Sequence, residues 1–198
     1  MSEIEKLGEL TEEHKSQAIG VFVEGFYDIF RRVSRNKAEL ARLFSASIDF
    51  NSTYALLEDD AVVGIMLIGR YEKSPFKLDH QVFSEIHSGW PGRIIFRILR
   101  HYLEKVSAST PDQVYIDYLA ASPQARGRGI GTKLIAFARD NLATRYLMLE
   151  VYKNNPKAQA LYERLGFQPV RVRTNLMELL EGLGRSTIMR LEVGGPDN

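Results

Sequence analysis

The sequence predicts a mixed α/β fold, a twisted sheet flanked by helices, and three observations carry the prediction. Apolar runs rich in β-branched and aromatic residues recur along the 198 residues, among them AVVGIMLIGR, QVYIDYLAAS and YLMLEVY. Between them lie segments whose apolar positions repeat every three or four residues, the period of a helix face. Two strands follow one another directly, and the later ones alternate with helices, so an antiparallel start runs on into a mixed sheet. There is no linker, repeat or low-complexity tract, so residues 1–198 are expected to form a single domain.

The opening EIEKLGEL alternates weakly and suits an edge strand. Thr11, followed by Glu12 and Glu13, begins a helix, with a capping hydroxyl and acids at the positive end of the dipole. Ala18, Val21, Phe22, Gly25 and Phe26 give that helix one apolar face, and a second helix is expected over Lys37 to Ser47. STYALLE and AVVGIMLIGR form a hairpin that turns at Asp59-Asp60, a weaker turn pair than Asn-Gly. The second of these strands is apolar almost throughout, as a central strand covered on both faces would be. YEKSPFKLDHQVFSEIHSGWPG shows no clear period. After Pro91-Gly92, Ile94, Ile95, Ile98, Leu99, Tyr102, Leu103 and Val106 mark an amphipathic helix, its other face carrying Arg93, Arg97, Arg100 and Lys105 as solvated surface.

QVYIDYLAAS is the next strand, and Ile130, Leu134, Phe137 and Ala138 supply the apolar face of the helix after it. YLMLEVY follows as a strand. Asn155-Pro156 opens a helix, with Asn as N-cap and Pro where a missing N–H costs nothing, and Gly166 closes it. FQPVRVR and STIMRLEV are the last strands, with a helical turn expected around NLMELLEG between them.

Composition excludes several chemistries. A net charge of +1, from 26 basic and 25 acidic residues, offers no broad field for nucleic acid or an anionic membrane. Cysteine is absent, which removes disulfide scaffolds, thiolate nucleophiles and cysteine-bound zinc. His14, His80, His87 and His101 are scattered without a metal-ligand spacing, so no metal site is expected. His80, His87 and Trp90 are read as surface residues, with the acceptor side as the alternative. No G-x-S-x-G elbow is present. MSEIEKLGEL lacks the layout of a secretion signal and no apolar run reaches membrane-spanning length, so a soluble, cytoplasmic protein is expected.

The sharpest local signal is Gly127, Gly129 and Gly131, interleaved with Arg126 and Arg128 between a strand and a helix. Glycine is costly to order, so the backbone must either turn sharply there or admit a close neighbour. The first N–H groups of the helix lack intrahelical partners and lie at the positive dipole end, which makes a phosphate-bearing ligand the natural neighbour. A P-loop needs Gly-Lys-Ser/Thr, whereas Gly131 precedes Thr132 and then Lys133; a dinucleotide fingerprint needs G-x-G-x-x-G. Both fail on spacing.

Gln124, Arg126, Gly127, Arg128, Gly129, Ile130 and Gly131 spell Q-x-R-G-x-G-I-G directly after a strand. This resembles the acyl-CoA pyrophosphate loop of the GNAT-type N-acyltransferase superfamily. LEVYKNNPKAQALYERLGF resembles the second half of that family's motif, an acid-bearing strand followed by N-x-x-A-x-x-L-Y-x-x-x-G-F, filled here by Asn155, Ala158, Leu161, Tyr162, Gly166 and Phe167. The strong match covers Tyr115 to Phe167, and element order agrees over most of the rest. The resemblance implies a mixed, mostly antiparallel twisted sheet flanked by helices, with a helical insertion at about residues 71–112 where the family commonly has a short connection.

It also implies transfer of an acetyl group from acetyl-CoA to a primary amine by direct attack in a ternary complex, with no metal. Residues 124 to 132, Thr132 included, would hold the pyrophosphate. Leu119, Ala120 and Ala121 would pair with the pantetheine arm as an added strand does. Asn155 would touch the pantetheine or the acyl end, although N-capping alone explains that residue. An amine must lose a proton before it attacks, and a departing thiolate leaves better if it gains one. Glu150, inside LMLEV and twelve residues before Tyr162, is the first choice of base, with pairing to a neighbouring Arg or Tyr as its alternative. Asp117 is the other base, or a second carboxylate acting through water. Tyr162 is the acid for the thiolate, although Ala158, Leu161 and Leu165 share its helical face and would accept it as core. A non-catalytic CoA-binding module on the same fold stays open, as does, more weakly, a nucleotide-binding protein. The amine acceptor is not legible, and a homodimer is one option for the assembly.

Overall fold

The computed structural model describes residues 2–174 and 185–194. Seven strands form one sheet: β1 (Ser2–Lys6), β2 (Thr53–Glu58), β3 (Ala61–Arg70), β4 (Gln113–Ala121), β5 (Tyr146–Tyr152), β6 (Gln168–Arg173) and β7 (Ser186–Glu192). Their order is β1-β2-β3-β4-β5-β7-β6, and every neighbouring pair is antiparallel except β4 with β5. Six α-helices flank the sheet among the described residues: α1 (Glu12–Phe30), α2 (Lys37–Ser47), α3 (His80–Ile86), α4 (Gly89–Leu103), α5 (Ile130–Asn141) and α6 (Pro156–Arg164).

Local chemistry sets the helix starts. The Thr11 hydroxyl accepts from the His14 N–H, and the Asn36 and Asn155 side chains accept from the Ala38 and Ala158 N–H groups. At the β2–β3 hairpin, Asp59 and Asp60 both have positive φ, 50° and 63°, the geometry of a two-residue turn whose twist matches the strands.

The stretch without a clear period holds α3. Its cap is Asp79, whose carboxylate accepts from the Val82 N–H at 2.8 Å. One aspartate ahead of a seven-residue helix was too faint to mark it. α4 begins at Gly89, one turn earlier than the Pro91-Gly92 pair suggested, because proline in a first turn forfeits no helical bond. Gly92 is needed there, since a Cβ would collide with the His87 carbonyl. Val106 lies beyond the end of α4. NLMELLEG lies outside the described residues.

The sheet separates two cores. One packs Phe22, Phe30, Leu40 and Phe44 of α1 and α2 with Phe83, Phe96, Leu99 and Leu103 of α3 and α4, against Leu57, Ile65 and Leu67. The other packs Leu134, Ile135 and Ala138 of α5 against Met66, Ile116, Leu149 and Val151. Alternation along each strand assigns its side chains to one core or the other. On the first face, beyond β4, Ala108, Tyr115 and Met148 form a small buried cluster.

Candidate active site

The parallel pair β4–β5 is hydrogen-bonded only from Gln113–Tyr146 to Ile116–Leu149. Past that point β4 runs on through Asp117–Ala121 and β5 through Glu150–Tyr152, with no ladder between them. Two strand edges with main-chain groups to satisfy thus face one gap. Leu119, Ala120 and Ala121, which pair with β3 on their other side, border it.

At the end of β4 the chain makes a single 3-10 turn, Pro123–Ala125, and enters α5 through the glycines. Gly127 and Gly129 have φ of 79° and 78°, a left-handed conformation that glycine adopts without a Cβ penalty. Nothing lies within 4 Å of where a Cβ would stand at either, so conformation and not crowding selects glycine there. Gly129 caps α5 without a side-chain bond, and the first helical bond runs from Lys133 N–H to the Gly129 carbonyl. The N–H groups of Gly129, Ile130, Gly131 and Thr132 are therefore the free ones. Gln124, Arg126 and Thr132 are exposed beside them. The two arginines differ. Arg128 donates to Glu58 at 2.6 Å, and Lys133 joins the same carboxylate at 2.7 Å. Lys133, then Arg128, hold the Glu58 carboxyl below its usual range. Arg126 has no ion-pair partner among the described residues.

Tyr162 on α6 packs with Phe167 at 5.9 Å between ring centroids, on the face of the sheet that carries α5. Burial pushes its hydroxyl up to about 12, so it stays protonated at neutral pH. Leu161 and Leu119 both lie near Gly131, so α6, α5 and the end of β4 converge at the gap. Asn155 is occupied as the N-cap of α6.

The two carboxylates stand on the opposite face. Glu150 is opposite Ile188 in register, and neither oxygen is idle: Arg173 Nη1 donates to Oε2 at 3.2 Å, and the Ser186 hydroxyl donates to Oε1. Asp117 is the extra residue of a β-bulge, left over where Ile116 pairs with Ile68 and Tyr118 with Leu67. Ser107 donates to its Oδ1 at 2.6 Å, whereas Oδ2 is buried with no hydrogen-bond partner among the described residues. Gly69 makes that placement possible, because a Cβ there would strike Oδ2. Burial above all raises the Asp117 carboxyl to about 7; the Ser107 bond and Lys105 pull against the rise, and the Glu150 charge adds to it. Tyr102 and Tyr152 hydroxyls meet at 3.1 Å beside this face.

Ser107, Arg173, Ser186 and Gly69 were not legible as site residues. Each acts through a partner far away in sequence, and no spacing rule joins them. Asp117 was visible because it interrupts an apolar strand. A cavity of about 760 Å³, lined by Arg31, Arg35, Glu39 and His87 among others, contains none of these groups. No group of three or more potential metal ligands exists among the described residues, and no described helix is long and apolar enough to cross a membrane.

Known proteins resemble this chain in sequence and in fold. The sequence profile of the Acetyltransferase (GNAT) family matches residues 21–167. The ribosomal protein bS18-alanine N-acetyltransferase of Salmonella typhimurium is 35% identical over 85 residues, 41% of this chain and 57% of that protein. The 5-NmdU N-acetyltransferase of Pseudomonas phage PaMx11 is 41% identical over 64 residues, 32% of this chain and 44% of its own. The matches thus span about half the length of these relatives. In three dimensions, a Corynebacterium glutamicum protein described as histone acetyltransferase HPA2 and related acetyltransferase superposes with a TM-score of 0.66 at 18% identity, over 100% of this chain and 99% of that one. That likeness is one of fold. A profile match over most of the chain, on a sheet with its glycine loop at the gap, makes this protein a member of the acetyltransferase (GNAT) family.

Proposed function

We propose that the protein transfers an acetyl group from acetyl-CoA to an amine, within one complex of both substrates. The observation that carries this is the β4–β5 gap: free amides at its mouth, a tyrosine on one face and two carboxylates on the other. The first amides of α5 and Arg126 would hold the pyrophosphate. The β4 edge at Leu119–Ala121 would take the pantetheine arm as a strand and present the thioester between the faces. Arg128 is less available, being tied to Glu58. Both sequence relatives are named as N-acetyltransferases, one for an alanine of a ribosomal protein and one for 5-NmdU, which supports the transfer and leaves the acceptor open.

The contacts favour a division of labour between the carboxylates. Glu150, whose two oxygens are already held by Arg173 and Ser186, would line the approach of the amine. Asp117, with a proton affinity near neutrality, would take that proton directly or through water. The neutral nitrogen then attacks the thioester carbonyl, the C–S bond breaks, and the Tyr162 hydroxyl gives its proton to the CoA sulfur. The tyrosinate recovers a proton from solvent or from the product nitrogen.

Thiol release from acetyl-CoA with a panel of amines tests the proposal. Acetylated product is expected, and Tyr162→Phe should lower turnover far more than CoA affinity. CoA binding without product from peptides, polyamines or small amines would instead favour a non-catalytic module.

A further inference from the structure

α4 has a second exposed surface besides the arginine row. Trp90, Ile94, Ile98 and Tyr102 are spaced four residues apart, are 71%, 41%, 55% and 37% exposed, and form one stripe. Arg93, Arg97 and Arg100 are exposed along one flank, and none has a carboxylate partner among the described residues. GWPGRIIFRILRHYL contains no acid at all. Single exposed apolar residues need no explanation, but a row of four beside three unneutralised arginines does.

The stripe is continuous with the candidate active site. Tyr102, its last member, meets the Tyr152 hydroxyl at 3.1 Å, two residues past Glu150. Val106, 40% exposed and four residues further on, precedes Ser107, which donates to Asp117. We propose that the acceptor is a polypeptide that docks along α4, its apolar side chains on the stripe and acidic ones on the arginine row. The proposal rests on the acetyl-transfer function above and names the class of amine. Charge complementarity selects the acidic residues, and the stripe's end beside the carboxylates selects the acceptor itself over a bilayer or a second copy of the chain. From Trp90 to Tyr102 the helix rises about 18 Å. An extended chain covers that in about five or six residues, so recognition should reach about that far from the acetylated amine.

The test uses free-amino peptides of alternating leucine and glutamate, from dipeptide to decapeptide, and a matching leucine–arginine series, whose side chains add no primary amine. KM should fall about tenfold from dipeptide to hexapeptide and then level off, with the arginine series weaker by a similar factor. Ile98→Ser should abolish the length dependence and leave kcat and KM for the dipeptide unchanged. Arg97→Glu should narrow the preference for the glutamate series. Trp90 is the chain's single tryptophan, so its emission reports docking without turnover. With CoA present, the glutamate hexapeptide should shift that emission to shorter wavelength, and Ile98→Ser should abolish the shift. A shift without any transfer would support the docking face and sink the acetyl-transfer function. KM independent of length, or unaltered by Ile98→Ser, would overturn the proposal. So would an emission change produced by phosphatidylserine vesicles, or by raising protein concentration, but not by peptide.

Discussion

At Asp117, stability and the proposed role as base pull in opposite directions. Its carboxyl is raised from 3.8 to about 7, so between those values the folded protein holds a proton that the unfolded chain has released. Stability therefore falls as pH rises through that window, by on the order of a few kcal/mol, and is flat above it. The base is formed over the same range, so kcat/KM should rise with a midpoint near 7. Asp117→Asn is expected to flatten the stability curve measured by denaturation between about pH 4 and 7, and to remove the catalytic midpoint. A midpoint that survives in Asp117→Asn and disappears in Glu150→Gln would return the proton to Glu150. Tyr162 has no such conflict, since burial keeps its hydroxyl protonated across this range. Tyr162→Phe keeps the ring on Phe167 and should cost turnover about a hundredfold or more, with CoA affinity within about twofold. The spacing of Glu150 and Tyr162 was readable in the sequence because both lie in one short strand–helix unit. That Glu150 pairs with an arginine was also readable as its alternative role; that the arginine is Arg173 was not, because β7 lies between β5 and β6 and sequence gives no sign of that insertion.

The glycines of the α5 entry separate two demands that a motif merges. Gly129 at φ 78° is required by the backbone, so Gly129→Ala should lower stability by about 1 kcal/mol or somewhat more, read as a drop in Tm. Gly131 has no such φ, and a Cβ there would meet Leu161 and Leu119 at 3.4 and 3.6 Å, ordinary contact. Gly131→Ala should therefore be neutral or stabilising by up to about 1 kcal/mol without ligand. It should nevertheless lose most of the Tm increase expected from CoA if, as proposed, the pyrophosphate comes against the first turn of α5. If Gly131→Ala keeps the full CoA-induced shift, the α5 amides are not the anchor. Elements with a strong local signal were legible to the residue: α2 spans Lys37–Ser47 as its periodicity indicated. α3 was hidden because its helical register is short and its single buried side chain, Phe83, is fixed by α4 and not by its own sequence.

Over the whole molecule, residues 71–112 look from sequence like an addition that a shorter connection would replace. The packing argues that they are structural. Phe76, Leu78, Phe83, Phe96, Leu99 and Leu103 are buried in the same cluster as Phe22, Phe30 and Phe44, and Phe76 stacks edge-on with Phe44 and Tyr118. Ser107, from the same stretch, donates to Asp117, and Tyr102 to or from Tyr152. Removing the segment would strip one wall of the first core, where each large side chain contributes about 1.5–3 kcal/mol by burial, and six of them together are comparable to the net stability of an ordinary domain. Replacement of residues 71–112 by a short glycine-serine linker is therefore expected to abolish cooperative thermal unfolding and to expose dye-binding apolar surface. The second core, built on α5 and α6, would be left to collapse without its partner face. Were the shortened chain instead to unfold cooperatively and bind CoA, the segment would be a separable cover, and the peptide path along α4 would have to be sought on a part of the protein that the acetyl-transfer site does not need.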